Sequence, residues 1–260
     1  MLRVAVARHR FGRPAAVAVA LYLTVAAVAA GYDGGRWFLV VAAAGSWPWD
    51  DGAWFLPAAI VVLNAWALWQ ILRGPAVPRT GTPPRDVVWL RRLLYTDVAG
   101  ELLLWELLED VSDVAEYTAR WAVWAVTVVL LVRVLTGVSA WFRIIALGLG
   151  LTGFLAAALR PFAEVPLPVS TLLMVPATLG CKVVIIAGQR RDGRFGAVTV
   201  AIGWTALLVP QVYSLLRSGG VPFDGLSLAV HALDGLLVVW TARTAHELAT
   251  TGPGVAEPGT

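Results

Sequence analysis

The feature that most constrains this chain is a succession of uncharged apolar runs, each near the length that crosses a bilayer. A helix needs roughly 20 apolar residues to span the hydrocarbon core. Six runs meet that requirement: 14–31, 53–72, 119–137, 140–159, 168–188 and 196–216. A seventh, 225–245, qualifies although it carries His231 and Asp234. Of the 260 residues, 58% are hydrophobic and only 14% charged, whereas a soluble domain carries about 25% charged residues. The mean hydropathy of +0.74 agrees. These runs predict an all-α integral membrane protein with no room for a separate soluble domain.

The 13 Trp suit the bilayer–water boundary, where indole rings collect. Cys181 is the single cysteine, which excludes an intrachain disulfide and a cysteine-based zinc site. Three histidines spread along the chain, His9, His231 and His246, do not suggest a metal site either. The net charge of +3 comes from arginines that punctuate the apolar runs. They read as topology signals, and nucleic acid is not an expected partner.

The N-terminus has basic residues before an apolar run, so a signal peptide has to be considered. The run from Pro14 to Ala30 continues toward Trp37 and Phe38 without a small-residue cleavage site, and a retained helix is expected. The organisation that follows is a cytoplasmic N-terminus over 1–13, a first transmembrane helix over 14–31 and an extracytoplasmic interfacial loop over 32–52. Prolines at 75, 78, 83 and 84 mark a loop over 74–86. Residues 247–260 are expected to form a disordered tail.

Segment 87–113 is helical in pattern but contains Asp97, Glu101, Glu106, Glu109 and Asp110. It either lies on the membrane or crosses it with a polar face turned inward. Lys and Arg collect in cytoplasmic loops, which separates the two readings. With the segment spanning, sixteen Lys and Arg fall on one side and four (Arg36, Arg120, Arg160 and Arg217) on the other; with it on the surface the split is twelve to eight. The spanning arrangement is therefore expected: eight helices with both termini cytoplasmic, in a multi-pass protein of the cell (inner or plasma) membrane. A carboxylate in lipid costs roughly 2.5–3.5 kcal/mol even on the lenient scale. Asp97 and Glu101 should therefore face protein, water or one another, while those past Glu106 can reach the outer interface.

Within the last seven runs, Arg120-Trp121-Ala122-Val123-Trp124, followed by Thr127 and Leu130-Leu131, resembles the third helix of microbial rhodopsins, Arg-Tyr-x-Asp-Trp-x-x-Thr-x-Pro-Leu-Leu. Val221-Pro222 and Leu233-Asp234 resemble the last helix of bacteriorhodopsin-like proteins. Thr152-Gly153 with Arg160 is similar to their fourth helix, Ser170-Thr171 with Met174 to the fifth, and Trp204 to a pocket tryptophan of the sixth. The resemblance covers about 190 residues, given the length each helix needs. It implies a seven-helix rhodopsin-like bundle over 53–246, preceded by the extra N-terminal helix. It also implies a ligand pocket of Arg120, Trp124, Thr127, Gly153, Trp204, Gln211, His231, Asp234 and Val238.

The departures from that family are chemical. The retinal-linking lysine position is Val238, and a Schiff base needs an amine. Val123 stands at the counterion position, Val129 replaces the helix proline, and Gln211 replaces a pocket aromatic. Lys182, the one lysine, is expected near the cytoplasmic end of its helix, where it would snorkel to the interface. A covalent light-driven pump is not expected. Without retinal, either bulky side chains close the cavity or another apolar molecule fills it.

An intramembrane carboxylate such as Asp234 marks function by default, with a structural partner such as Arg120 as the alternative. His231 shares its helical face and reads as a neutral, hydrogen-bonded side chain or a proton relay. Asp97 and Glu101, four residues apart, form either a proton-handling pair or a water-filled polar seam. Asn64, Gln70 and Gln211 are expected as interhelical hydrogen-bond partners. No Walker loop, His-Glu-x-x-His or Gly-x-Ser-x-Gly occurs. The leading expectation is a non-pumping binding, sensory or assembly protein that holds retinal or another isoprenoid noncovalently, in the bilayer, alone or with a like or unlike membrane partner. An intramembrane lipid cyclase or isomerase using Asp234, Glu101 or Asp97 as acid is the second reading, and a proton or ion pathway the third.

Overall fold

The computed structural model describes residues 9–31, 55–75, 83–101, 113–159, 167–218 and 224–250. These form eight helices: α1 (Gly12–Ala30), α2 (Phe55–Leu72), α3 (Arg85–Ala99), α4 (Asp113–Val134), α5 (Ala140–Leu159), α6 (Leu167–Asp192), α7 (Ala197–Ser218) and α8 (Asp224–Thr250). An apolar run in lipid has to satisfy its own backbone, and a helix does so within one segment. Among the described residues, four helices are long and apolar enough to cross a membrane, with their qualifying stretches at Gly12–Ala30, Ala140–Ala158, Leu173–Asp192 and Ala197–Leu215. The apolar part of α2, Pro57–Leu72, is shorter. Large apolar side chains on the outside, such as Leu21, Trp141, Leu155 and Leu215, suit a lipid-facing surface.

Helices α3 to α8 close into a ring, because each packs on the next and α8 packs back on α3. Helix α2 docks on the outside of this ring against α8, and α1 docks on α2. Successive helices run antiparallel. Gly153 of α5 faces Thr178 of α6, while Gly188, near the end of α6, faces Phe142 at the start of α5. Acidic segment α3 is part of the ring: Tyr95 meets His246 near the end of α8, and Glu101 reaches Arg120 in the second turn of α4. By helix direction, the described arginines other than Arg120 and Arg217 gather at the end where α1 begins and α8 finishes.

The apolar core joins Leu90 and Leu94 of α3, Leu131 and Leu135 at the end of α4, Ile185 and Ile186 of α6, and Val239, Trp240 and Leu248 of α8. Polar stitches cross it. Fully buried Gln189 donates to Thr244 Oγ1 at 3.0 Å and accepts from Trp240 Nε1 at 2.9 Å. Gly203 lets α7 approach this pair; a Cβ there would sit 2.7 Å from Trp240 Nε1. At the turn between α6 and α7, Gly193 takes φ 70°, and Asp192 accepts from the Thr136 backbone N–H at 2.6 Å. Arg194 binds the same carboxylate and the Val134 carbonyl. Pro176 lies inside α6 and Pro210 inside α7.

Two expectations are corrected. Residues 247–250 belong to α8 and not to a tail: Leu248 is buried in the core and Glu247 binds α7. Helix α1 starts at Gly12, inside the segment assigned to the N-terminus, where His9 and Phe11 already pack against the end of α2. Residues 1–8, the loop 32–52, the acidic positions Glu106, Glu109 and Asp110, and the chain beyond 250 lie outside the described residues.

Candidate ligand cavity

Between the ring helices lie two adjoining, partly open cavities of about 380 Å³ and 280 Å³. Ligand pockets in general run from roughly 300 to 1,000 Å³. Six residues line both: Asp97, Glu101, Arg120, Lys182, Leu237 and Thr241. Helical spacing explains why these side chains meet. Asp97 and Glu101 are one turn apart on α3, Met174, Thr178 and Lys182 follow at four-residue steps on α6, and Leu237 and Thr241 do the same on α8. Helix α3 ends in a wider, π-type turn at Gly100 and Glu101, a distortion frequent at functional positions.

The electrostatics are those of a balanced cluster. Arg120 donates to both oxygens of Glu101, at 2.6 and 2.7 Å. The Lys182 ammonium lines the same cavities as Asp97 and Glu101, whose charges offset part of the cost of burying it. That ammonium lies 5.5 Å from the centre of the Trp124 ring, a cation–π geometry. Two carboxylates and two cations thus share one polar corner. The smaller cavity adds an aromatic wall of Trp121, Trp124 and Trp240; the larger adds Leu207, Pro210, Gln211 and Val238. The Trp124 indole N–H is buried and has no hydrogen-bond partner among the described residues. An acceptor on a bound molecule would satisfy it.

Of the expected pocket residues, Arg120, Trp124, Gln211 and Val238 line these cavities, as do Asp97 and Glu101. Three others do not line them. Thr127 is buried in the bundle, Gly153 serves the contact of α5 with α6, and Trp204 packs against the core. His231 and Asp234 lie on α8, but their side chains fall outside what the structure describes. Asn64 and Gln70 do make interhelical bonds, to Tyr22 and to Arg243.

The largest correction concerns Lys182. It does not snorkel to an interface; it lines both cavities among carboxylates and Trp124. The physical reason is position. Lys182 lies ten residues before the end of α6 at Asp192, about 15 Å along the axis at 1.5 Å per residue. That is too deep for its stem to reach the arginine-rich end. The four-residue steps from Met174 through Thr178 were the sequence signal that placed it on the inner face. Trp240 and Thr241 were also missed; they continue the stripe of Leu237.

Among the described residues no group of histidine, cysteine or acidic side chains could hold a metal ion. Comparison with known protein families, curated proteins and solved structures finds no match for this chain.

Proposed function

We propose that this chain is a membrane-embedded binding protein that holds an amphipathic, isoprenoid-like molecule noncovalently at the centre of its ring. The supporting observation is the pairing of an aromatic wall with a polar corner of both charges in two adjoining, partly open cavities. Trp121, Trp124 and Trp240 suit an extended apolar body. The unpartnered Trp124 N–H and the Asp97–Lys182 corner suit a polar end group. The rhodopsin resemblance belongs to this proposal, with the seven-helix arrangement and the extra helix that it implies.

The test is solvent extraction and native mass spectrometry of the purified protein, followed by titration with retinal. The expected result is a co-purifying apolar molecule reduced in Trp124→Ala, or a visible band with retinal that borohydride does not fix. A band that borohydride fixes would mean linkage to Lys182 and would overturn the noncovalent reading. No adduct and no band, even in Val238→Lys, would mean that the cavity takes no such molecule.

A second reading, chemistry by a buried acid, is favoured by Asp97 alone. Both oxygens of Glu101 are already taken up by Arg120. Asp97, beside Trp121 and Trp124 on the next helix, would protonate an alkene whose cationic character the indoles stabilise. Conversion of an added polyprenyl substrate, lost in Asp97→Asn, would decide for it.

A further inference from the structure

A second group of ionisable side chains lies away from the cavity, at the end of the bundle where α1 begins and α8 finishes. His9 precedes α1, Arg73 follows α2, Arg91 belongs to α3, and Arg243 and His246 to α8. Arg73 Nη1 lies 3.4 Å from His9 Nε2. The His246 ring packs on Tyr95, with centroids 5.7 Å apart, and Arg91 bonds the Tyr95 hydroxyl. The charges of Arg73, Arg243, His9 and Arg91 all act on His246. Backbone bonds from Phe11 N to Arg73 O and from Arg10 N to Pro75 O, both 3.1 Å, pin the start of α1 over the group.

The carboxylate that answers these cations is Glu247. It binds Arg243 at 3.2 Å, and also the Gly196 N–H and the Thr199 hydroxyl. Among the described residues Glu247 is the one carboxylate of the group, and it serves Arg243, which Gln70 and Thr199 also hold; Arg73 and Arg91 leave an excess of positive charge. Four buried nitrogens of the group have no hydrogen-bond partner among the described residues: Arg73 Nε, Arg91 Nε, His9 Nδ1 and His246 Nδ1. His246 itself is only 5% exposed. Buried cations are ordinarily paired, and unpaired buried donors ordinarily find an acceptor. Guanidinium forks match the oxygens of a phosphate group better than any other common anion.

We propose that His9, Arg73, Arg91, Arg243 and His246 form a binding site for a phosphate-class oxyanion, either the headgroup of an anionic phospholipid or free inorganic phosphate. The site closes the seam between the appended helices and the ring: α1 and α2 supply two of its groups, α3 and α8 the rest. An oxyanion there would tie the N-terminal pair to the bundle.

The experiment uses the full chain, delipidated in neutral detergent, with thermal unfolding and native mass spectrometry as readouts. One arm adds inorganic phosphate against chloride at equal ionic strength. The other adds phosphatidylglycerol against phosphatidylcholine. Stabilisation by phosphate over chloride identifies the free anion; retention of phosphatidylglycerol over phosphatidylcholine identifies the lipid headgroup. Arg73→Met should weaken the effective probe about tenfold or more, the value of a charge-assisted hydrogen bond. His246→Asn, a milder change, should weaken it less. Because Arg73→Met also loses the contact with His9, binding is read as the shift each probe produces relative to the same variant without probe. The proposal is overturned if neither probe is preferred over its control. It is equally overturned if Arg73→Met binds the preferred probe as well as the parent does.

Discussion

Replacing Lys182 with Met tests the placement on which the cavity depends. Met keeps most of the volume and removes the charge. Glu101 is paired to Arg120 at 2.6 Å, and the loss of Lys182 leaves Asp97 and Glu101 to share that one guanidinium. Breaking a fully buried pair costs about 3–5 kcal/mol, while an exposed pair is worth about 0–1 kcal/mol. Lys182 and Asp97 are half-buried, face the same cavities and act on each other through space, so the cost should lie near the lower limit, about 1 kcal/mol. Asp97→Asn should cost a similar amount from the other side. The double variant should lose less than the sum, with a coupling of about 0.5–1 kcal/mol, because one change removes the reason for the other. The assay is equilibrium unfolding of the purified protein in mixed micelles with increasing sodium dodecyl sulfate. A Lys182→Met effect within about 0.5 kcal/mol, the range of ordinary surface changes, would place the ammonium at the membrane surface and refute the cavity assignment. Strict additivity of the two changes would do the same.

Two further outcomes follow from the packing and the loops. Gly203→Ala places a Cβ 2.7 Å from Trp240 Nε1 and 3.2 Å from Ile186, and overpacking of this kind costs about 1–3 kcal/mol. Gly148→Ala, with nothing within 4 Å, is the control and should be no less stable than the parent, since alanine suits a helix interior better than glycine. At the α6–α7 turn, burial pushes the Asp192 carboxyl up, but the bonds from Arg194 and Thr136 outweigh it and hold it below the ordinary value. Its contribution is therefore fully present above the ordinary carboxylate pKa, about 4, and is lost as the pH falls through the lowered folded value. Unfolding followed between pH 5 and 2 should show a steeper acid loss in the parent than in Asp192→Asn; equal slopes would remove Asp192 from the acid response.

Much of the helical layout was legible because apolar runs and their prolines set where helices can start and stop. The runs read at 53–72 and 140–159 stop where α2 and α5 stop, and Pro75 and Pro84 fall between α2 and α3. The inward face of α3 was legible too, since carboxylates at 97 and 101 cannot be left in lipid. What could not be read was which helices would face each other. Arg120 could have answered any intramembrane carboxylate; its pairing with Glu101 depends on the packing of α3 against α4, which no local pattern encodes. Lys182 illustrates a different failure. A lone lysine late in an apolar run is equally compatible with snorkelling, and only the neighbouring Thr178 and Met174 spacing pointed inward. The cluster around His246 joins segments more than 230 residues apart in the chain, so neither its members nor their shared surroundings could be found from spacing. Leu248 was misassigned because a polar, alanine-rich ending hides the one side chain that anchors it.

Pro210 lies in the wall of the larger cavity together with Ala206, the residue whose carbonyl a normal amide at position 210 would have bonded. Proline has no such amide. Helix α7 therefore carries, beside that cavity, a rung already missing from its ladder and a carbonyl turned loose from its usual duty. Like α6 with its Pro176, it can lean outward without tearing an amide bond free. A molecule arriving sideways from the bilayer would meet less resistance there.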